Sequence, residues 1–371
     1  MIVYFEIGPL KEREYTGIAQ VTAALCAQLL GDADVESRFF YGGMIAPKPL
    51  VESLLRTRTG ELLEWYLQRA VPQPAPADLS PANVAVFPNV KTARRTFGKE
   101  CQIIHDLSTL LTPQFHHRDT IAFHANTMEE DMLSNDLTFC VSEATRSDVL
   151  AYFPALAPQT VQTMPLAASI DPSSEAAGAA HVERYILVLG TIEPRKNASL
   201  VLRYLAAHPD FSKRYRTVFL GRFGWGNTVE HLLAEYRLTE QHAAGRILFP
   251  GFVTEHAKHA LIRNARLLVY PSLFEGFGLP LLEAAALGVP CVTTRSSSLP
   301  EAGGPHAYYF DPFTDADFGR ALMQALIDLE VDGDAVRRRC QEWGRQFSWP
   351  KTYGIMKRGI QGLFAAAAAE H

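Results

Sequence analysis

Apolar residues along this chain gather in short runs, and most runs are followed by a longer stretch in which they recur every three or four positions. Runs of the first kind suit strands buried on both faces, and stretches of the second suit amphipathic helices. Strands are expected at 2–5, 84–87, 102–104, 137–141, 185–189, 216–220, 247–249, 267–270 and 291–294. Helices are expected at 18–30, 53–69, 143–152, 199–207, 228–236, 257–264, 282–287 and 315–329. Such alternation predicts an α/β fold with parallel sheets. It lapses at 167–180, AASIDPSSEAAGAA, which reads as an interdomain linker. A loop with four prolines, 71–82, falls within the first half. The expectation is two Rossmann-like domains with a cleft between them, ligands lying at the C-terminal ends of the strands.

Composition narrows the class. A chain of 371 residues, 47% hydrophobic and 20% charged, can bury more than one core. Its net charge of −5 disfavours a nucleic-acid partner. Up to residue 165 there are 13 basic against 19 acidic residues, and 22 against 21 thereafter, so an anionic ligand suits the second half better. The five cysteines are scattered, with no CxxC spacing, as expected of reduced thiols in a cytosol. The beginning lacks the pattern of a signal peptide, and no apolar run approaches the ~20 residues of a membrane span. A cytoplasmic protein is expected. The alanine run 365–369 carries no pattern and enters no argument.

The chemistry concentrates in the second half. Glu275 and Glu283, separated by seven residues, flank a turn that runs into a helix, with the amides of Phe277, Gly278 and Leu279 at or before its start. Carboxylates accept bonds from sugar or ribose hydroxyls, while exposed amides at a helix start receive phosphate. The strand ending at Gly190 leads through Thr191 to Arg195 and Lys196 ahead of a helix. The helix dipole disfavours bases there, so two together call for an anion.

With these segments in view, the chain resembles the family-4 glycosyltransferases of GT-B fold. GTIEPRKN, FPGFV, ARLLVYPSLFEGFGLPLLEAAALGVPCV, SSSLPEAGG and FDP follow in order across 185–312. TGIAQVTAAL, IHDLSTLLTP and VSEATRSDVL match more loosely in the first half, and FSWPKTYGIM resembles the terminal segment that crosses back to it. The resemblance implies an acceptor domain at 1–168 with a returning helix at 350–371, and a donor domain at 169–349. It implies retaining transfer of a sugar from a nucleotide-sugar donor, without a metal or other cofactor. Glu283 would take the ribose hydroxyls and Glu275 the sugar hydroxyls. The amides of Phe277, Gly278 and Leu279 would cradle the diphosphate, with Lys196 and Arg195 as counter-charges. Val253, in FPGFV, and Thr191 would line the donor site; many relatives have arginine where Thr191 stands. Gly17 would meet the phosphates from the first domain and His105 would reach the sugar. GTIEPRKN with SSLPE looks most like bacterial mannosyltransferases of O-antigen or exopolysaccharide synthesis, which implies GDP-mannose, with UDP- and dTDP-sugars as alternatives. The acceptor would be an oligosaccharide or a lipid-linked saccharide.

Other patterns point elsewhere. Asp32/Asp34, Asp315/Asp317 and Asp332/Asp334 mimic the metal-binding pair of glycosyltransferases of the other major fold, yet Asp315 and Asp332 read as helix caps and Asp32 follows a helix end. His116, His117 and His124, with Glu129, Glu130 and Asp131 nearby, form no zinc spacing. The two glutamates also permit glycoside hydrolysis, for which the basic pair has no use. A Rossmann oxidoreductase requires G-x-G-x-x-G after the first strand, which here leads into Glu6-Ile7-Gly8. Glu275, Glu283, Lys196 and His105, present together, argue against a catalytically silent sugar-nucleotide binding protein. The basic run 91–99, with Phe97 inside it, reads as a peripheral inner-membrane contact or as a solvated loop.

Overall fold

The computed structural model describes every residue except 16, 43, 70–77, 92, 171–184, 225–227, 370 and 371, and no side chain at 366–369. Most of the proline-rich loop and of the 167–180 linker lies outside the described residues. The chain divides into two compact units, Met1–Leu166 with Ser348–His371, and Ala167–Phe347.

The first unit is built on β1 (Ile2–Glu6), β2 (Glu36–Tyr41), β3 (Met44–Ala46), β4 (Asn83–Phe87), β5 (Lys99–Ile104), β6 (Leu137–Cys140) and β7 (Val161–Thr163). Their order is β3-β2-β1-β4-β5-β6-β7, parallel throughout except for the antiparallel β2–β3 pair. β4 and β6 are buried along their whole length, as their largely apolar sequences anticipate. The helix Trp349–Ala369 is fastened to this unit. Thr352 donates to the carbonyl of Pro165 at 2.7 Å, Tyr353 donates to Asp32 at 2.7 Å, and Lys357 reaches Asp34 at 3.2 Å. Asp32 and Asp34 are therefore anchor points for the returning helix.

The second unit carries β8 (Ile186–Leu189), β9 (Thr217–Leu220), β10 (Ile247–Gly251), β11 (Leu267–Tyr270), β12 (Cys291–Thr294) and β13 (Tyr308–Phe310). All run parallel, in the order β10-β9-β8-β11-β12-β13. Phe219, Leu267, Val269 and Val292 from the strands pack with Leu200, Phe318 and Leu322 from the covering helices. Because β8 and β11 are neighbours, the loops at their C-terminal ends lie side by side, and both are the loops singled out by sequence.

Several expectations change. The helix expected at 53–69 is two, Lys48–Thr57 and Glu61–Arg69. Arg58 turns left-handed at φ 55°, and Gly60 lies so close to another segment that a β carbon there would stand 2.1 Å from the carbonyl oxygen of Lys11. The helix beginning at Asp315 runs to Gly344 across a break at Asp332, whose carboxylate caps its second half by accepting from the Ala335 amide at 3.0 Å. Asp315 is not the cap expected of it; its partner is Arg203, at 2.8 Å.

In the basic run 91–99, Lys91, Arg94 and Lys99 are each paired with a carboxylate, while Arg95 is exposed. Lys91 is fully buried and donates to Glu100 at 2.5 Å, to Ser134 at 2.8 Å and to Asn135 at 3.1 Å. Arg94 pairs with Asp131 at 2.6 Å, Lys99 with Asp136 at 3.1 Å, and Phe97 is buried in an aromatic cluster with Tyr4 and Phe40. Two of these carboxylates, Asp131 and Asp136, are distant in sequence, whereas Glu100 directly follows the run.

Candidate active site

The site in the second unit grows from the ends of three adjacent strands. After β8, Gly190 takes φ 137°, and its bare α carbon lies against the aliphatic stem of Lys196. The amide of Ile192 donates to the carbonyl of Arg222 at 2.8 Å, pinning the loop. Pro194–Lys196 then forms one tight turn, closed by Asn197 at φ 53°, a left-handed conformation that asparagine tolerates well. Thr191 and Val253 are half-buried just beyond the ends of β8 and β10.

After β11 the loop is stitched to this turn. The Leu273 amide donates to the Arg195 carbonyl at 2.8 Å, and the Arg195 guanidinium returns a bond to the Phe274 carbonyl at 2.8 Å. The next residue is Glu275, only 8% exposed. Its carboxylate receives Lys196, Ser272 at 2.5 Å, Tyr270 at 2.8 Å and Arg195 at 3.4 Å. Its backbone carbonyl receives Ser297 at 2.5 Å and Ser298 at 2.8 Å, from the loop that follows β12. Burial pushes the carboxyl pKa up, but the charges of Lys196 and Arg195, with the bonds from Lys196 and Ser272, outweigh it and hold the group at about 2. Tyr270 is driven the other way, well above its usual value, by burial and by Glu275.

The depressed value sets an acid limit. The unfolded chain would bind a proton at Glu275 below about pH 4.5, and the folded one only near 2. Its contribution to stability is therefore complete above about pH 4.5 and falls away as pH drops toward 2. Acid melts of wild type and Glu275→Gln should converge across that window, and parallel curves would show that the pair contributes nothing there.

Beyond Glu275 the chain enters the helix Leu279–Ala286 through Gly278, at φ 104°, where a β carbon would press to 3.0 Å from Leu299. The amides of Phe277, Gly278 and Leu279 meet no acceptor among the described residues. The Phe277 ring is buried and packs edge-on against Phe347, with centroids 6.1 Å apart. Glu283, one turn into the helix, is 3% exposed. Lys258, from the helix Glu255–Asn264, donates to its Oε1 at 2.8 Å, while its Oε2 has no hydrogen-bond partner among the described residues. Burial raises the Glu283 pKa, and Lys258 and His259 more than reverse that.

In the first unit, His105 follows β5 and its Nε2 lies 2.8 Å from the Pro88 carbonyl. A carbonyl only accepts, so Nε2 carries the proton and Nδ1 keeps its lone pair. Burial lowers the pKa of the ring, which is neutral at pH 7. Gly17 opens the helix Gly17–Gly31 at φ 29°, and the space beside its α carbon is open.

Sequence reading treated Glu275 and the basic pair as separate features, whereas the structure makes them one cluster. Tyr270 and Ser272 lie in VYPS, and Ser297 and Ser298 in SSSLPE, but nothing local marks any of the four as a partner of Glu275. Lys258, Glu255 and His259 carried no signal at all. The histidine and acidic group near residue 120 breaks up: His124 bonds Thr109 at 2.6 Å, His117 caps a helix, and Asp131 holds Arg94.

Residues 170–347 match the family model described as glycosyl transferases group 1. That segment is thus similar to the group 1 glycosyltransferases. An O-antigen chain mannosyltransferase B from Escherichia coli is 33% identical over 255 residues, 66% of this chain and 65% of that one. A serotype-specific mannosyltransferase WbdA from the same species is 28% identical over 279 residues, 71% of this chain but 34% of that one. The matches thus span less than two thirds of these relatives' own lengths. A sucrose-phosphate synthase from Thermosynechococcus elongatus superposes with a TM-score of 0.65 at 15% identity, covering 99% of this chain and 100% of that one. The fold is GT-B, as the resemblance implied. No helix among the described residues is long and apolar enough to cross a membrane.

Proposed function

We propose that this glycosyltransferase is a retaining mannosyltransferase that moves mannose from GDP-mannose to a glycan or lipid-linked saccharide in surface-polysaccharide synthesis. The observation that carries the reading is the Glu275 cluster. A buried, ionised carboxylate bonded by Lys196 stands directly before the unpaired amides of 277–279 at a helix start. The similarity to O-antigen mannosyltransferases supports the choice of sugar.

In this reading the second unit holds the donor. Glu275 takes sugar hydroxyls, Glu283 takes the ribose, and the helix-start amides take the diphosphate. Arg195 bonds Glu193, Glu275 and the Phe274 carbonyl, and so stabilises the turn as well as adding positive charge. As the bond from the sugar's anomeric carbon to the phosphate oxygen breaks, negative charge grows on the diphosphate, opposed by Lys196. The acceptor hydroxyl enters from the face the diphosphate leaves, and its proton passes to the departing phosphate oxygen. The first unit receives the acceptor, with the neutral His105 offering Nδ1 to a sugar hydroxyl. Side-chain cations do the work of a divalent metal. A lipid-linked acceptor would bring the protein to the inner membrane surface.

The test is a melting panel with GDP, UDP, dTDP, ADP and NAD, each with and without Mg²⁺. Ligand at 100 times its Kd should add about 2.7 kcal/mol of stability. Stabilisation by GDP, indifferent to Mg²⁺, is expected. A response to UDP or dTDP instead would replace the donor while keeping the chemistry, dependence on Mg²⁺ would overturn the metal-free step, and a response to NAD alone would overturn the whole reading.

A further inference from the structure

Glu255, His259 and Glu283 bring three possible metal-ligand atoms within 4.8 Å of one another in the second unit. The charge already at their centre is not a metal. Lys258 places its Nζ 2.9 Å from Glu255 and 2.8 Å from Glu283 Oε1, so an ammonium takes the place a cation would occupy. Its side chain is 15% exposed, and that of Glu283 is 3% exposed. His259 Nε2 stands 3.9 Å from each carboxylate, too far for a direct bond. Lys258 is thus the group that binds Glu283 directly, and it binds only one of the two oxygens.

The geometry points to Lys258 as a positioning residue for nucleotide recognition: its ammonium, bridging Glu255 and Glu283, fixes the Glu283 carboxylate so that Oε2 is left for a ribose hydroxyl. This rests on the reading that Glu283 takes the ribose. Two carboxylates this close repel, and a buried acceptor without a partner is costly. The bridge removes the first difficulty. A ribose hydroxyl donated to Oε2 removes the second, so the site favours ligands that carry that donor. Without Lys258, Glu283 would turn from Glu255 or take up a proton, and either would weaken its claim on the hydroxyl. The helix Glu255–Asn264 supplies Glu255, Lys258 and His259 from one turn, at i, i+3 and i+4. The helix Leu279–Ala286 supplies only the carboxylate they serve.

The experiment compares the affinity of GDP or UDP, whichever stabilises the protein more in the melting panel, with that of its 2′,3′-dideoxy counterpart. Wild type should prefer the ribonucleotide by about tenfold or more, the range of a hydrogen bond to a charged group. Lys258→Met should bring that preference within about threefold by loosening ribonucleotide binding, and Lys258→Arg, which keeps the charge, should restore most of it. Inorganic diphosphate, which has no ribose, should bind Lys258→Met as it binds wild type, and this serves as the check on folding. If that variant does not fold, Lys258→Gln is measured in its place.

A full wild-type preference in the folded Met or Gln variant would overturn the proposal and leave Lys258 a structural ion pair. Equal binding of ribonucleotide and dideoxynucleotide by wild type would instead remove the role of Glu283, and with it the proposal. Binding of neither GDP nor UDP would remove the underlying reading. Failure of both uncharged variants to fold, with Lys258→Arg folded and normal, would also overturn it in favour of a purely structural role.

Discussion

Lys196→Ala should lower kcat by about 100–1000-fold, the loss that follows removal of one preorganised group facing developing charge. The ammonium is rigidly held: its stem lies against Gly190, and its Nζ donates to Tyr270 at 3.0 Å and to Glu275. Two roles are combined in it, opposing charge on the leaving diphosphate and keeping Glu275 ionised, and the pH profile separates them. Without Lys196 the largest influence lowering the Glu275 pKa is gone, so that pKa rises. If the loss came only through Glu275, the rate would recover as pH is raised. A deficit that persists to pH 9 belongs to the diphosphate. A fall of tenfold or less at every pH would remove Lys196 from the mechanism. Single-turnover measurements with GDP-mannose and a saccharide acceptor would supply the rates, after the melting panel has established the nucleotide.

Lys91→Ala should destabilise the first unit by about 3–5 kcal/mol, the usual loss when one partner of a buried ion pair is removed. Lys91 is fully buried and Glu100 is 2% exposed, so water cannot replace the missing ammonium. Glu100 would keep the amides of Thr96 at 2.7 Å and Phe97 at 3.3 Å on one oxygen, while the oxygen that met Lys91 would face Ser134 and Asn135 without a charge between them. Exchange of the β4 and β5 amides reads the unit directly, because a chain of two units need not unfold in one step. Lys91→Met with Glu100→Leu should recover most of the loss, since a well-packed apolar pair avoids the desolvation of both charges. A loss under about 1 kcal/mol in Lys91→Ala would show that the pair is dispensable.

Full burial made several of the expected strands legible, although β10, also expected, is mostly half-buried. β4, β6, β11 and β12 are buried on both faces, and runs such as VAVF in β4 and LLVY in β11 stand out without a partner in view. β2, β3, β7 and β13 were not expected. β2 carries exposed or half-buried positions along ESRFFY, and the other three have three residues each. Strands that short or that mixed exist because a neighbour pairs with them. The helix Arg118–Leu133 was missed for a related reason: of its residues only Asp131 and Met132 are buried, so it presents almost no apolar stripe.

The site divides along the same line. Sequence alone determined the α/β class and which loops matter, because glycines, prolines and acidic or basic residues at strand ends leave local marks. Glu275, Glu283, Arg195 and Lys196 were all visible in that way. Tertiary structure alone decided what those groups bind. Lys196 and Glu275 meet because β8 and β11 are adjacent in the sheet, and Lys258 meets Glu283 because the two helices pack. It also decided how Lys91, Arg94 and Lys99 are paired, with Glu100, Asp131 and Asp136 respectively. A charge in a sequence has a sign but no partner, and in a buried site the partner sets its pKa, its orientation and its use.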